Sequence, residues 1–281
     1  MSMFSNGGYT DMVCSIRDIP VYYEEYGKGI PVLCIHGWPV DHRMVADMLE
    51  PVFNEMQSYR RIYIDLPGMG QTPSAQWIKS SDNMLEVVVE FIHAVIGEQS
   101  FLLVGGSYGG YLALGLIHEM SHKIDGVFLL YPDTGPRGNE AENLPPRTII
   151  QQSKEADYTI AEYYKEMAVI FSQKNYDNWQ KVIQPALDCA DMNFLTNHCS
   201  YLFTQGLQEG IDVVTFGKPS CILAGRQDHT TGYKLAYELV ERFPRATFSI
   251  LDCAGHRLEV EREWLFRQLL RDWIDRVAQY S

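Results

Sequence analysis

The sequence predicts an α/β domain: a mostly parallel, doubly wound sheet of about eight strands, interrupted once by a helical insertion. Three observations predict it. Short apolar runs, each punctuated by Gly, Pro, Asp or Ser, alternate with amphipathic helical patterns from about residue 30 onward. Those runs are apolar throughout instead of alternating with polar residues, as strands covered on both faces are. A length of 281 residues, 46% hydrophobic and 21% charged, suits one large domain with an insertion better than two independent domains.

The elements follow in order. Val13–Arg17 and Val21–Tyr26, with Asp18-Ile19-Pro20 between them, read as an antiparallel hairpin at the sheet edge. The runs Ile30–Ile35, Arg61–Leu66, Phe101–Val104, Val127–Tyr131, Pro219–Ala224 and Thr247–Leu251 read as buried strands. Across Ser81–Gly97, the residues Leu85, Val88, Val89, Ile92 and Ile96 share one helix face, with Ser81 and Asp82 as cap candidates and Gly97 as terminator. Tyr111–Met120 is helix-like, and Phe266, Leu269, Leu270, Trp273 and Val277 form the apolar stripe of a C-terminal helix.

The alternation fails from Thr134 to Gly217. That stretch opens on Gly135-Pro136-Arg137-Gly138 and Pro145-Pro146, then shows only helical patterns, as at Ala161–Phe171 and Trp179–Leu187. Its six positive and eleven negative charges leave a diffuse net of −5. The expected organisation is a core of residues 1–133 and 218–281, with a helical cap (lid) over 134–217.

Composition excludes several function classes. A net charge of −13 repels phosphate backbones and anionic lipid heads, so neither nucleic acid nor a membrane is an expected partner. The charge-free stretch Gln99–His118 is about as long as a membrane span, but Gly105-Gly106-Ser107-Tyr108-Gly109-Gly110 breaks it at the centre. The polar residues Met1–Asp11 contain no apolar signal-peptide core. The six cysteines form no C-x-x-C and read as reduced thiols of a cytoplasmic protein. No metal is expected, because the sequence carries no H-E-x-x-H, H-x-x-E-H or Cys/His cluster. A phosphate loop fails too, since Tyr111 stands where G-x-x-x-x-G-K requires Lys.

The strongest chemical signal is Gly105-Gly106-Ser107-Tyr108-Gly109, a G-x-S-x-G between an apolar run and a helix. A serine on so tight a strand-to-helix turn has its hydroxyl pushed out at the sheet's carboxyl edge, and small residues two before and two after make room for the turn. The helix start supplies a backbone N–H beside it that can stabilise an oxyanion. Two carboxylates, Asp228 after Pro219–Ala224 and Asp133 after Val127–Tyr131, end strands that open onto that same edge. His256 lies 28 residues beyond Asp228, in the loop after the last strand.

Three further blocks stand in matching order: Leu33-Cys34-Ile35-His36-Gly37-Trp38-Pro39, Asp65-Leu66-Pro67-Gly68-Met69-Gly70, and the pair Gly225-Arg226-Gln227-Asp228 with Ala254-Gly255-His256. Together they resemble the α/β-hydrolase superfamily in its capped, serine-nucleophile (esterase-like) branch, over roughly residues 20–132 and 216–280. The resemblance implies Ser107 as nucleophile, His256 as base and later acid, and Asp228 as the orienting carboxylate, with Asp133 as the alternative. It implies an oxyanion hole of the Trp38 and Tyr108 N–H groups, and a structural role for His36. His42, His93, His118, His122 and His198 read as surface or packing residues, and His229 as a competitor to His256.

The function expected is a cofactor-free serine hydrolase that acts through an acyl-enzyme on small or medium carboxylic esters, with a small-molecule acyl substrate as its partner. C–C bond, amide or thioester hydrolysis, acyl transfer and perhydrolysis share the same triad. The serine disfavours dehalogenase and epoxide-hydrolase chemistry, which places a carboxylate there. An aminopeptidase would want an acidic cluster in the cap to hold the substrate amine. From another class, a small-molecule receptor on a hydrolase fold stays open, as do a monomer and a homodimer.

Overall fold

A computed structural model describes residues 9–56, 58–136, 144–152 and 162–280. The chain runs β1 Tyr9–Ile16, β2 Ile19–Gly27, β3 Ile30–Ile35, α1 His42–Phe53, β4 Tyr59–Ile64, α2 Ser81–Val95, β5 Phe101–Gly106, α3 Tyr108–Met120 and β6 Ile124–Leu130. Between β6 and the next long strand come β7 Gln151–Gln152, α4 Glu162–Met167, β8 Ile170–Phe171, α5 Gln173–Asn178, α6 Gln184–Cys189, α7 Met192–Asn197 and α8 Gln205–Asp212. Then follow β9 Ser220–Gly225, α9 Lys234–Arg242, β10 Ala246–Leu251, α10 Leu258–Glu261 and α11 Glu263–Tyr280.

Eight strands form one sheet in the order β1-β2-β4-β3-β5-β6-β9-β10. From β4 to β10 every pairing is parallel, while β2 is antiparallel to both neighbours. Both faces are covered, which explains the unbroken apolar runs. Along β3, Leu33 and Ile35 point into the core packed under α2 and α3, whereas Val32 and Cys34 point into the core under α1 and α11. Period-two burial on two faces leaves no position for a polar residue.

Several boundaries differ from expectation for local reasons. The hairpin turns at Arg17-Asp18, with Arg17 at φ 50°, and Ile19 and Pro20 belong to β2. The cap of α2 is Ser80, one residue earlier than expected; Ser81 is buried and bonds inward. Gly97, at φ 71°, closes α2 by returning its N–H to Ile92 at 2.9 Å. Helix α1 had a legible signal, with Asp41 as cap and Val45, Met48, Leu49 and Val52 on one face.

The segment 134–217 is not purely helical: β7 and β8 form a short parallel pair, so the pattern at Ala161–Phe171 yields helix only to Met167. In Trp179–Leu187 a π turn, Trp179–Ile183, leads into α6 and its Pro185. The expected turn at Arg137-Gly138 and the start of the helix at Ala161 lie outside the described residues. Trp179, Val182, Ile183 and Ala186 join the α1 side of the core, and Phe194, Leu195, Phe203 and Ile211 join the α2–α3 side. Among the described residues, no helix is long and apolar enough to cross a membrane.

Candidate active site

Because β3 to β10 run parallel, Trp38, Asp65, Ser107, Asp133, Asp228 and His256 all follow the carboxyl ends of strands. Ser107 sits between β5 and α3 at φ 52°, ψ −117°, a conformation an L-residue holds only when its surroundings enforce it. They do. Its N–H donates to Leu130 O at 2.9 Å, and its carbonyl accepts from Gly110 N (2.9 Å) and Asp133 N (3.1 Å). The glycines are sterically required: a Cβ on Gly105 would lie 2.4 Å from Gly109 O, and one on Gly109 would lie 2.2 Å from Ile35 O.

His256 Nε2 lies 3.0 Å from Ser107 Oγ, and its Nδ1 lies 2.8 Å from Asp228 Oδ2. Asp228 is fully buried. Burial works against its ionisation, but the His256 ring and donors from Thr230 N (2.8 Å) and Thr231 Oγ1 (2.9 Å) outweigh it, so its carboxyl is held below the ordinary value. Asp133 is turned elsewhere: Oδ2 accepts from Tyr201 Oη at 2.9 Å and Oδ1 from Gly135 N at 2.9 Å. The structure therefore brings together Ser107, His256 and Asp228 and leaves Asp133 out.

Tyr108 begins α3, and its backbone N–H takes no acceptor among the described residues. Its ring packs edge-on against Trp38 at 5.1 Å, and its hydroxyl lies 2.6 Å from Ser81 Oγ. His36 is fully buried; Nε2 accepts from Leu66 N (3.0 Å), which places its proton on Nδ1 towards Gly37 O (2.7 Å). Burial lowers its pKa and keeps it neutral, so it pins the Trp38 loop to the turn after β4. In that turn the Asp65 carboxylate fills the space where a Gly70 Cβ would stand, 2.2 Å from Oδ2.

The other histidines separate cleanly. His93, His118, His122 and His198 are exposed, and His229 meets Glu166 at 3.2 Å instead of Ser107. His42 is buried between Asp65 (2.7 Å) and Glu24 (3.1 Å). Burial pulls its pKa down, but the two carboxylates win and push it up to about 10. Asp41, His42 and Asp65 place ligand atoms within 4.8 Å of one another, yet an imidazolium donating at both nitrogens offers no lone pair to a metal. This group reads as a buried ion-pair cluster.

The cavity at Ser107 is narrow, about 30 Å³, and walled by Trp38, Val40, Met44, Met167, Trp179, Ile183 and Arg257 beside Ser107 and His256. A neighbouring cavity of about 170 Å³ shares Met44 and Arg257 with it. Segment 134–217 thus contributes Met167, Trp179 and Ile183 to the wall. It is also stitched to the histidine loop, since His256 N donates to Met167 O at 3.0 Å. Glu261 accepts from Val169 N (2.6 Å), Ile170 N (2.9 Å) and Gly255 N (2.7 Å). Burial raises Glu261 to about 6 against those three donors. Sequence reasoning missed Thr231, Arg257 and Glu261, although all three lie within five residues of Asp228 or His256.

The sequence pattern described as "Alpha/beta hydrolase family" matches residues 32–268. A pimeloyl-[acyl-carrier protein] methyl ester esterase of Legionella pneumophila is 22% identical over 262 residues, covering 90% of this chain and 99% of that one. A 2-hydroxy-6-oxononadienedioate/2-hydroxy-6-oxononatrienedioate hydrolase of Paraburkholderia phymatum is 23% identical over 280 residues, covering 95% and 94%. Among solved structures, an alpha/beta superfamily hydrolase from Oenococcus oeni PSU-1 superposes with a TM-score of 0.83 at 27% identity, covering 92% and 96%.

Proposed function

Because the chain belongs to the alpha/beta hydrolase family, we propose that it is a serine esterase that cleaves small or medium carboxylic esters through an acyl-enzyme on Ser107. The observation that carries the reading is the aligned series Ser107 Oγ, His256 Nε2, His256 Nδ1 and Asp228 Oδ2, with 3.0 and 2.8 Å at its two contacts.

Asp228 holds the imidazole with its proton on Nδ1, leaving the Nε2 lone pair towards Ser107. As Oγ attacks the ester carbonyl, its proton passes to Nε2, and the buried Asp228 carboxylate balances the imidazolium. The carbonyl oxygen becomes an oxyanion held by the Trp38 and Tyr108 N–H groups. Collapse of this intermediate breaks the bond to the alcohol oxygen, which leaves with the proton from Nε2. Water then gives a proton to His256 and attacks the acyl carbonyl; the acid departs, the proton returns to Ser107 Oγ, and the serine is restored.

Segment 134–217 serves in this reading as a lid, and the cavity of about 30 Å³ favours a short group beside Ser107. The test is a panel of carboxylic esters of graded acyl length, run on the wild type and on Ser107→Ala. Turnover that falls by several orders of magnitude in the variant is expected; undiminished turnover would defeat the mechanism. The two curated relatives differ in the bond their names assign, methyl ester against oxo-acid, so the panel includes a C–C substrate as its contrast.

A further inference from the structure

Thr231 stands three residues past Asp228, in the loop between β9 and α9, and is 5% exposed. The two oxygens of Asp228 are held in different ways. Oδ1 accepts backbone N–H groups, from Thr230 at 2.8 Å and Thr231 at 3.1 Å, which any residue but proline would supply there. Among the described residues Oδ2 accepts from side chains alone, His256 Nδ1 at 2.8 Å and Thr231 Oγ1 at 2.9 Å. The oxygen that faces the imidazole therefore depends for its second donor on the identity of one residue.

Thr231 Oγ1 also lies 3.1 Å from the Tyr131 carbonyl oxygen and 3.4 Å from His256 Nδ1. The hydroxyl has one proton for its two acceptors. The carboxylate is the stronger of them, because an ionised partner roughly doubles the bond. A β-branched side chain has few rotamers, so the hydroxyl of a buried threonine stays where it is set. Burial alone asks for one partner, and Tyr131 O would satisfy that. Contact with the triad is more than packing demands.

We propose that Thr231 is a positioning residue of the triad: its hydroxyl holds Asp228 Oδ2 against His256 and shares the carboxylate's charge, which sets how readily the imidazole takes the Ser107 proton. This rests on His256 being the base for Ser107. Without that donor the charge on Oδ2 acts on the imidazole undivided, and His256 keeps its proton to higher pH. The other groups around the pair stay the same whatever stands at 231. Tyr131 packs its ring 4.4 Å from the imidazole, and its phenol, pushed up by burial, bonds Glu259. Arg257 pairs with Glu259 and His229 with Glu166, while Glu261, at about 6, holds Gly255 N. Their titration is common to every variant compared.

Two measurements on wild type, Thr231→Val and Thr231→Ser test it. One is the second-order rate at which a small fluorophosphonate labels Ser107, as a function of pH. The other is NMR titration of the His256 ring, assigned by its loss in His256→Ala. Valine keeps the side chain's shape and removes the hydroxyl, so both midpoints should move up by about half a pH unit or more. Thr231→Ser should return them towards wild type. Midpoints that stay put in Thr231→Val overturn the proposal. So does a labelling rate lowered by one factor at every pH, the mark of packing alone. Should Thr231→Val not fold, Thr231→Ala is titrated in its place, and failure of both to fold also overturns it. The two readouts separate the claims. A ring titration that moves, without labelling of wild-type Ser107, keeps Thr231's hold on the imidazole and defeats the nucleophile reading. Labelling of wild-type Ser107 with an unmoved ring titration does the reverse.

Discussion

The phenol of Tyr201 donates to Asp133 Oδ2 at 2.9 Å, so this carboxylate is engaged with segment 134–217 and not with His256. Its position after β6, one strand from Ser107, had made it a credible partner for the imidazole. Asp228 instead approaches His256 from β9 at 2.8 Å. Asp228→Asn should leave folding and binding intact but cut turnover by about 10⁴, the cost of the wrong imidazole tautomer in a well-studied triad. Asp133→Asn, assayed beside it on one ester, should stay within about tenfold of wild type, because it alters one hydrogen bond remote from the imidazole. The opposite pattern would reassign the acid.

Glu261 yields a pH prediction. Its pKa is raised to about 6 from 4.5, so the folded state holds this proton more tightly than the unfolded chain. The stability it contributes is complete below pH 4.5 and is lost as pH rises through about 6, a change of about 2 kcal/mol. Denaturant unfolding of wild type and Glu261→Gln at pH 4 and pH 7 checks it. The wild type's advantage should shrink at the higher pH, and an advantage that grows would reverse the sign.

Gly109→Ala tests the steric account of the turn. Its Cβ would meet two backbone oxygens, Ile35 O at 2.2 Å and His36 O at 2.6 Å, and neither can swing aside as a side chain could. The variant should lose about 3 kcal/mol or more, or fail to fold. Gly97→Ala is a poor substitute, because nothing lies within 4 Å there and its cost is the left-handed backbone at φ 71° alone.

Ile183 tests the proposed lid. It is 2% exposed and lines the Ser107 cavity from the π turn. Ile183→Val removes one methylene, an expected cost of about 1 kcal/mol, and should move the preferred acyl chain towards greater length. Reaction of Ser107 with a small fluorophosphonate should continue. Chain-length preference that does not move, here and in matching variants at Met167, would leave the segment as packing only.

Much of this was legible in the sequence for identifiable reasons. Ile30–Ile35 reads as a strand because both its faces are buried from Pro31 onward, and Gly105 and Gly109 announce the turn because a Cβ at either would collide with backbone. What stayed hidden depends on contacts far apart in sequence. Glu261 and Arg257 belong to no motif or period in the sequence, and their partners Val169, Ile170 and Asn178 come from a segment about 80–90 residues away. The β7–β8 pair escaped notice because a two-residue strand has no period to read. The choice between Asp133 and Asp228 needed the partner of each oxygen, which strand order alone does not supply.

The most direct measurement is covalent. A fluorophosphonate reacts with a serine only where a base activates it, so the wild-type protein is labelled, digested, and the modified residue located by mass spectrometry. The label should sit on Ser107, and both Ser107→Ala and His256→Ala should abolish it. A label on any other serine, or undiminished labelling in Ser107→Ala, would contradict the assignment of Ser107 as the nucleophile.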